Sequence, residues 1–309
     1  MSVLSVLSEK IIDGVSVVKY RLEGNFDVNK TFDCGQCFRF ERVENSTHEA
    51  EYAGIAYGRA VSFGQDGDTL YVYNSSAKEF ENIWYHYLAL DMNYAEIDRK
   101  LSLCCDSQAF VEAMDCGRGI RILNQEPYEA LISFIISQNN NIPRIKQIVE
   151  RLCLWCGKPI EVSDVMREKL CAHSSLCAFP TAEALYKLGI AGLFEAKTGF
   201  RAKYIYDAVD KLISGKLDLS AVFDIESTDD AVKYLCAVNG VGPKVASCVL
   251  LFSCEKYDAF PVDVWIKRAM TRYFPEGDFT PTVFGDYAGI AQQYLFYYER
   301  YLGGLNSEK

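Results

Sequence analysis

Near Glu79 the periodicity of this chain changes, and the change sets what it can fold into. Before it, "VSVVKYRLEG", "CFRFERV", "EYAGIAYGRAVSF" and "TLYVYNS" are rich in β-branched and aromatic residues and partly alternate, as strands do. "GQDGD" is a turn signal between the last two. After it, "EFENIWYHYLAL", "PYEALISFIISQ", "IPRIKQIVERLCLW", "TAEALYKL", "FRAKYIYDAVDKLI", "DDAVKYLCAV" and "VFGDYAGIAQQYLFYYERYL" place apolar residues three and four apart. The pattern predicts an α+β protein: an N-terminal antiparallel β-sheet domain over residues 1–108, then a mostly α-helical domain over 109–309. At 309 residues the chain is long enough for both.

Composition narrows the function. Half the residues are apolar, so the chain is globular. No apolar run approaches the ~20 residues of a membrane helix. "MSVLSVLSEKIIDG" lacks a basic stretch and turns charged at Glu9, so no signal peptide is expected. A cytoplasmic protein is expected, or a nuclear one in a eukaryote. The net charge of −10 argues against indiscriminate nucleic-acid binding. It is uneven: residues 1–108 hold 10 basic and 17 acidic residues, residues 109–309 hold 22 and 25. Any DNA-facing surface would be a local basic patch in the second part, for which Arg144, Lys146, Arg151, Lys197, Arg201 and Lys203 are candidates. Twelve cysteines form no regular framework. Two CxxC pairs, Cys34/Cys37 and Cys153/Cys156, lie far apart without supporting histidines, so no metal site is expected.

"DDAVKYLCAV-NGVGP-KVASCVLLFSC" reads as helix, tight turn, helix over about 229–254. Gly240 and Gly242 suit a turn that needs positive φ or close backbone approach. Free N–H groups at such a turn can receive a phosphate. Lys244 follows at the head of an apolar helix, where the helix dipole and a partly dry site would favour a neutral, nucleophilic amine. A solvent-facing lysine is the plain alternative. Asp263, in "FPVDVW", reads as an N-cap. Beside an amine nucleophile it could also stabilise a sugar cation as a glycosidic bond breaks.

"GVGPKVASC…PVDVW" resembles the signature of the helix–hairpin–helix DNA glycosylases with a Gly/Pro-rich loop and an aspartate. Within that superfamily the chain is most similar to bacterial-type 8-oxoguanine DNA glycosylases, from "CGQCFRF" through "SFIISQNNNIPRI" and "TGFRAKY" to "AQQYLF". The resemblance implies excision of 8-oxoguanine opposite cytosine from double-stranded DNA through a lysine Schiff base, followed by strand nicking. It implies a monomer that needs no cofactor. It makes Lys244 the nucleophile and Asp263 the catalytic carboxylate. Gly35 would offer a carbonyl to the N7–H that only the oxidised base carries. Gln292 and Phe296 would bond and stack the base, and Cys248 would pack its other face. Asn139 would fill the vacated hole, Arg144 and Arg201 would hold the orphaned cytosine, and Phe200 would wedge the stack. Gly240 and Gly242 would grip the DNA backbone. Trp265 departs from the histidine of animal-type members. The last cysteine is Cys254, so the C-terminal four-cysteine cluster of the iron–sulfur relatives is not expected.

Two other readings fit the same motifs. A glycosylase for another damaged base would keep the hairpin, although alkyl-base members usually lack the lysine. A non-catalytic DNA-damage binder would need neither Lys244 nor Asp263. A thiol-redox or zinc protein would instead rest on the two CxxC pairs.

Overall fold

The computed structural model describes residues 4–105, 107–173, 175–274 and 280–307. Six strands form one antiparallel sheet: β1 (Leu4–Ile12), β2 (Val15–Leu22), β3 (Phe40–Arg42), β4 (Ala50–Ala56), β5 (Arg59–Asp66) and β6 (Thr69–Tyr73). Their order across the sheet is β1-β2-β6-β5-β4-β3. β1 arises from the segment read only as lacking a leader, and the stretch "EYAGIAYGRAVSF" is two strands of a hairpin rather than one.

Neither face of the central strands is free, which explains why β4 and β5 read as nearly continuous apolar runs instead of strict alternation. One face carries Val18, Tyr20, Phe40, Phe63 and Val72, packed on Phe32, Trp84 and Tyr87. The other carries Val17, Ala53, Ile55 and Ala60, covered by Met166 and Leu170 of a later segment. That segment is tied down by the ion pair of Lys169 with buried Glu51, at 2.6 Å.

The remainder is helical: α1 (Tyr94–Cys104), α2 (Gln108–Gly117), α3 (Pro127–Ser137), α4 (Ile142–Cys156), α5 (Ala182–Leu193), α6 (Ala202–Ile213), α7 (Thr228–Leu235), α8 (Pro243–Ser253), α9 (Val264–Tyr273) and α10 (Ala288–Ser307). Their starts follow the capping chemistry. Asn141 caps α4, Thr181 caps α5 and Ser227 caps α7 through side-chain oxygens, while Pro127 and Pro243 open α3 and α8. One apolar core runs through these helices and takes in Cys34 and Phe38 from the sheet side and Ile97 and Leu101 of α1. No described helix is long and apolar enough to cross a membrane.

Candidate active site

A pocket of about 370 Å³ opens where the loop after Phe32 meets α3, α8, α9 and α10. Its lining includes Gly35, Lys244, Cys248, Asp263, Gln292 and Phe296, six residues singled out in the sequence. Lys244 is second in α8, after Pro243, and its Nζ lies 5.8 Å from the centroid of the Phe134 ring. Cys248, one turn on, is buried; burial raises its thiol pKa against the lowering effect of the neighbouring Lys244. Asp263 caps α9, its Oδ1 accepting from Ile266 N at 2.8 Å. The capping role and the pocket role therefore coexist, because one oxygen caps and Oδ2 keeps no hydrogen-bond partner among the described residues.

Gly35 has φ +77°, so the positive-φ reading of glycine applies here. A Cβ there would stand 3.4 Å from Ile142 Cδ1 and 3.6 Å from Phe296 Cε1. The loop is locked by residues the sequence reading missed. Gln293 Nε2 donates to the Cys34 carbonyl at 2.8 Å, and buried Gln36 donates to the carbonyls of Thr31 and Arg121, both at 2.8 Å. The signal was available: "QQ" stands inside an apolar helix, and a buried amide demands partners. Gln292 is the contrasting neighbour. It is 4% exposed, lines the pocket, and its Oε1 has no hydrogen-bond partner. Phe134 and Phe252, also missed, stack at 5.5 Å between centroids and form an apolar wall.

The CxxC pairs do not form disulfides. Cys34 and Cys37 are buried, and burial pushes Cys34 up to about 12 and Cys37 upward too, so neither offers a thiolate near neutral pH. No cluster of metal-ligating side chains occurs among the described residues.

A second group lies on the helical surface. Gly240 has φ +80°, and a Cβ there would come within 2.3 Å of the Tyr204 ring, so both reasons for glycine hold. They do not hold at Gly242, which caps α8 with φ −99° and meets nothing within 4 Å. Its bare backbone faces open space. Asn239 pins the hairpin to α6 by donating twice to Asp207, each at 2.8 Å. Tyr204 in turn meets Phe200 edge-on at 6.0 Å, which joins the hairpin to that side chain. Phe200 is 50% exposed, and Asn139 is exposed in the left-handed region at φ +48°. Arg144 is exposed in the first turn of α4.

Arg201 is the exception. It is 4% exposed, and its guanidinium donates to the carbonyls of Gln138, Thr198 and Asn139. Burial lowers its pKa, and Arg144 lowers it further. The proposed basic patch is also thinner than expected. Lys146 bonds Phe40 O and Glu41, and Arg151 bonds Ala196 O, which leaves Arg144, Lys197 and Lys203 exposed.

A lysine and an aspartate lining one aromatic-walled pocket, beside a glycine hairpin, are the arrangement of a helix–hairpin–helix glycosylase of base excision repair. Residues 132–282 match the HhH-GPD superfamily of base excision DNA repair proteins, and residues 19–131 match the 8-oxoguanine DNA glycosylase N-terminal domain. The chain is 31% identical over 290 residues to the N-glycosylase/DNA lyase OGG1 of Arabidopsis thaliana, covering 86% of this chain and 75% of that protein. It is similar to the Clostridium acetobutylicum 8-oxoguanine glycosylase/lyase in complex with dsDNA containing cytosine opposite 8-oxoG: TM-score 0.84, 36% identity, 98% and 100% of the two chains. It is similar also to MBOgg1 in complex with a low affinity DNA ligand, at TM-score 0.84 and 38% identity over 97% and 99% of the chains. The chain belongs to the 8-oxoguanine DNA glycosylase family, whose members are N-glycosylase/DNA lyases.

Proposed function

We propose that this enzyme releases 8-oxoguanine paired with cytosine and then cuts the strand, with Lys244 as nucleophile. The observation that carries the reading is the convergence of Lys244 and Asp263 with Gly35, Gln292 and Phe296 on one pocket. The extruded base enters between the Phe296 ring and Cys248, and the orphaned acceptor of Gln292 takes a donor from its edge. Gly35 offers its carbonyl to N7–H. Guanine, with a lone pair at N7, meets that carbonyl unfavourably.

Lys244 Nζ adds to C1′ of the sugar as the base leaves with the glycosidic electron pair. Asp263 stabilises the positive charge that develops on the sugar. Ring opening then gives a Schiff base between Nζ and C1′, and loss of a C2′ proton expels the 3′ phosphate by β-elimination. Asn139, Phe200, Arg144 and Arg201 serve the vacated site and the orphaned cytosine, and the Gly240/Gly242 turn holds phosphate. Arg201 first exchanges its carbonyl partners for the cytosine acceptors. Residues 1–108 and 109–309 are the two domains of this reading. Its setting is the bacterial cytoplasm, or the nucleus in a eukaryote.

The test is incubation with a duplex holding one 8-oxoguanine opposite cytosine, with borohydride present. Wild type should release the base and form a trapped adduct, and Lys244→Gln should do neither while still binding DNA. A trapped adduct of normal yield in Lys244→Gln would place the nucleophile elsewhere.

A further inference from the structure

Two of the six cations offered for DNA, Lys146 and Arg151, are spent inside the protein, and a third, Arg201, is held by backbone carbonyls in the free protein. A chain of net charge −10 that grips a polyanion must concentrate positive charge locally, beyond the exposed Arg144, Lys197 and Lys203. One surface outside the pocket does so. Helix α9 buries Ile266 and Ala269 and turns Val264, Lys267, Arg268 and Thr271 to solvent. At spacing i, i+3, i+4, i+7 these four share one face. Among the described residues, the side chains of Lys267 and Arg268 have no hydrogen-bond or acidic partner, whereas Arg272 is held by Glu299 at 3.1 Å. The Arg268 guanidinium stands 5.2 Å from the centroid of the Trp265 ring, a cation–π contact that orients it. A shallow groove runs alongside, lined by Val264, Lys267, Arg268, Thr271 and Arg272 of this helix and by Glu299, whose carboxylate is engaged by Arg272.

The same helix begins at Asp263, which lines the pocket. With a rise of ~1.5 Å per residue, Lys267 and Arg268 lie roughly 6–8 Å along the axis from it. On the proposed function, phosphates flanking a sugar held against Asp263 come within reach of this region.

We infer that the outer face of α9 is a phosphate-binding rail for the damaged strand, where Lys267 and Arg268 each meet one backbone phosphate beside the extruded nucleotide. Trp265 holds Arg268 in position and reads no base. The rail positions the strand and carries no sequence information. It rests on the reading given under Proposed function.

The experiment measures binding of the intact chain to a duplex carrying a non-cleavable abasic-site analogue, by fluorescence anisotropy across a salt series. Wild type is compared with Lys267→Gln/Arg268→Gln, and with Lys10→Gln/Lys78→Gln, two exposed lysines on the sheet side. Each phosphate contact contributes about 0.9 to the slope of log affinity against log salt, so the α9 variant should lose about 1.8 of it. Between about 50 and about 200 mM salt, wild type should therefore lose about twelve-fold more affinity than that variant. The sheet-side variant should keep the wild-type slope. Trp265→Ala should lose less than the double variant, and Trp265→Phe should recover the loss. An α9 variant with the wild-type slope overturns the inference, and so does an equal loss in the sheet-side variant. Because the analogue cannot be cleaved, this readout is separate from catalysis. A wild type that binds but neither traps nor releases 8-oxoguanine refutes the proposed function instead.

Discussion

Gly35→Ala separates recognition of the lesion from everything else the pocket does. The added methyl has room in the free protein, because its nearest neighbours would be Ile142 Cδ1 at 3.4 Å and Phe296 Cε1 and Cζ at 3.6 and 3.7 Å. What opposes it there is the backbone, since φ +77° costs an L-residue about 1–2 kcal/mol. That strain lowers the melting temperature by a few degrees but leaves folded enzyme at assay temperature. The methyl also lies against the edge of the Phe296 ring, on which the proposed function stacks the base. It fills space the base needs, so the base tilts away and the N7–H contact lengthens. Loss of that hydrogen bond, with its partner left buried and unpaired, costs about 1–3 kcal/mol, which is roughly a five- to 150-fold fall in excision. Cutting at a preformed abasic site needs no base contact and should change far less. The assay is single-turnover excision of 8-oxoguanine against nicking of an abasic duplex, wild type against Gly35→Ala, at saturating enzyme. If both rates fall equally, the methyl or the strain has damaged the catalytic pair as well. If neither falls, Gly35 is only a turn glycine. Either result refutes the reasoning.

Arg201→Ala should narrow the preference for cytosine over adenine opposite the lesion and also lower stability by about 1–3 kcal/mol, because carbonyls of Gln138, Thr198 and Asn139 lose their donor; an unchanged preference and an unchanged melting temperature would together reject both roles. Glu129 in α3 is raised to about 7, chiefly by burial, with Glu126 and Glu150 adding to it and Arg39 opposing. The folded protein therefore keeps this proton up to about pH 7, whereas the unfolded chain releases it near 4.5. Its contribution is full below the unfolded value and is lost as pH rises through 7, so Glu129→Gln should stabilise the protein at pH 8 by up to about 3 kcal/mol and have little effect at pH 4. Equal melting temperatures at both pH values would contradict this. In native protein a thiol reagent should label the exposed Cys104 and Cys171 fast, and Cys34, Cys37 and Cys153 only after denaturation. Fast labelling of Cys34, or its ready oxidation with Cys37, would revive a redox role.

What the sequence determined is local. The helical stretches, the hairpin with Lys244 at the head of its second helix, and the Asp263 cap all follow from spacing and from single residues acting within a turn or two of themselves. Gln292 and Phe296 share a helix face for the same reason. The sheet was less legible. β1 was missed because it is an edge strand exposed along most of its length, with no buried face to pattern it, and β4 and β5 merged because burial on both faces blurs their alternation. That second layer comes from Met166 and Leu170, about a hundred residues later in the chain. Only the tertiary structure could decide which distant groups meet. The Gly35 loop reaches the pocket because Gln293, 259 residues beyond Cys34, takes that residue's carbonyl, and because Gln36 satisfies its amide on two other segments. It also decided how the cations are spent. A lysine or arginine in sequence is only a set of donors and a charge. Whether it faces DNA, as Arg144 can, or is consumed by a backbone carbonyl, as Arg151 is, depends on which buried acceptors the fold leaves without partners.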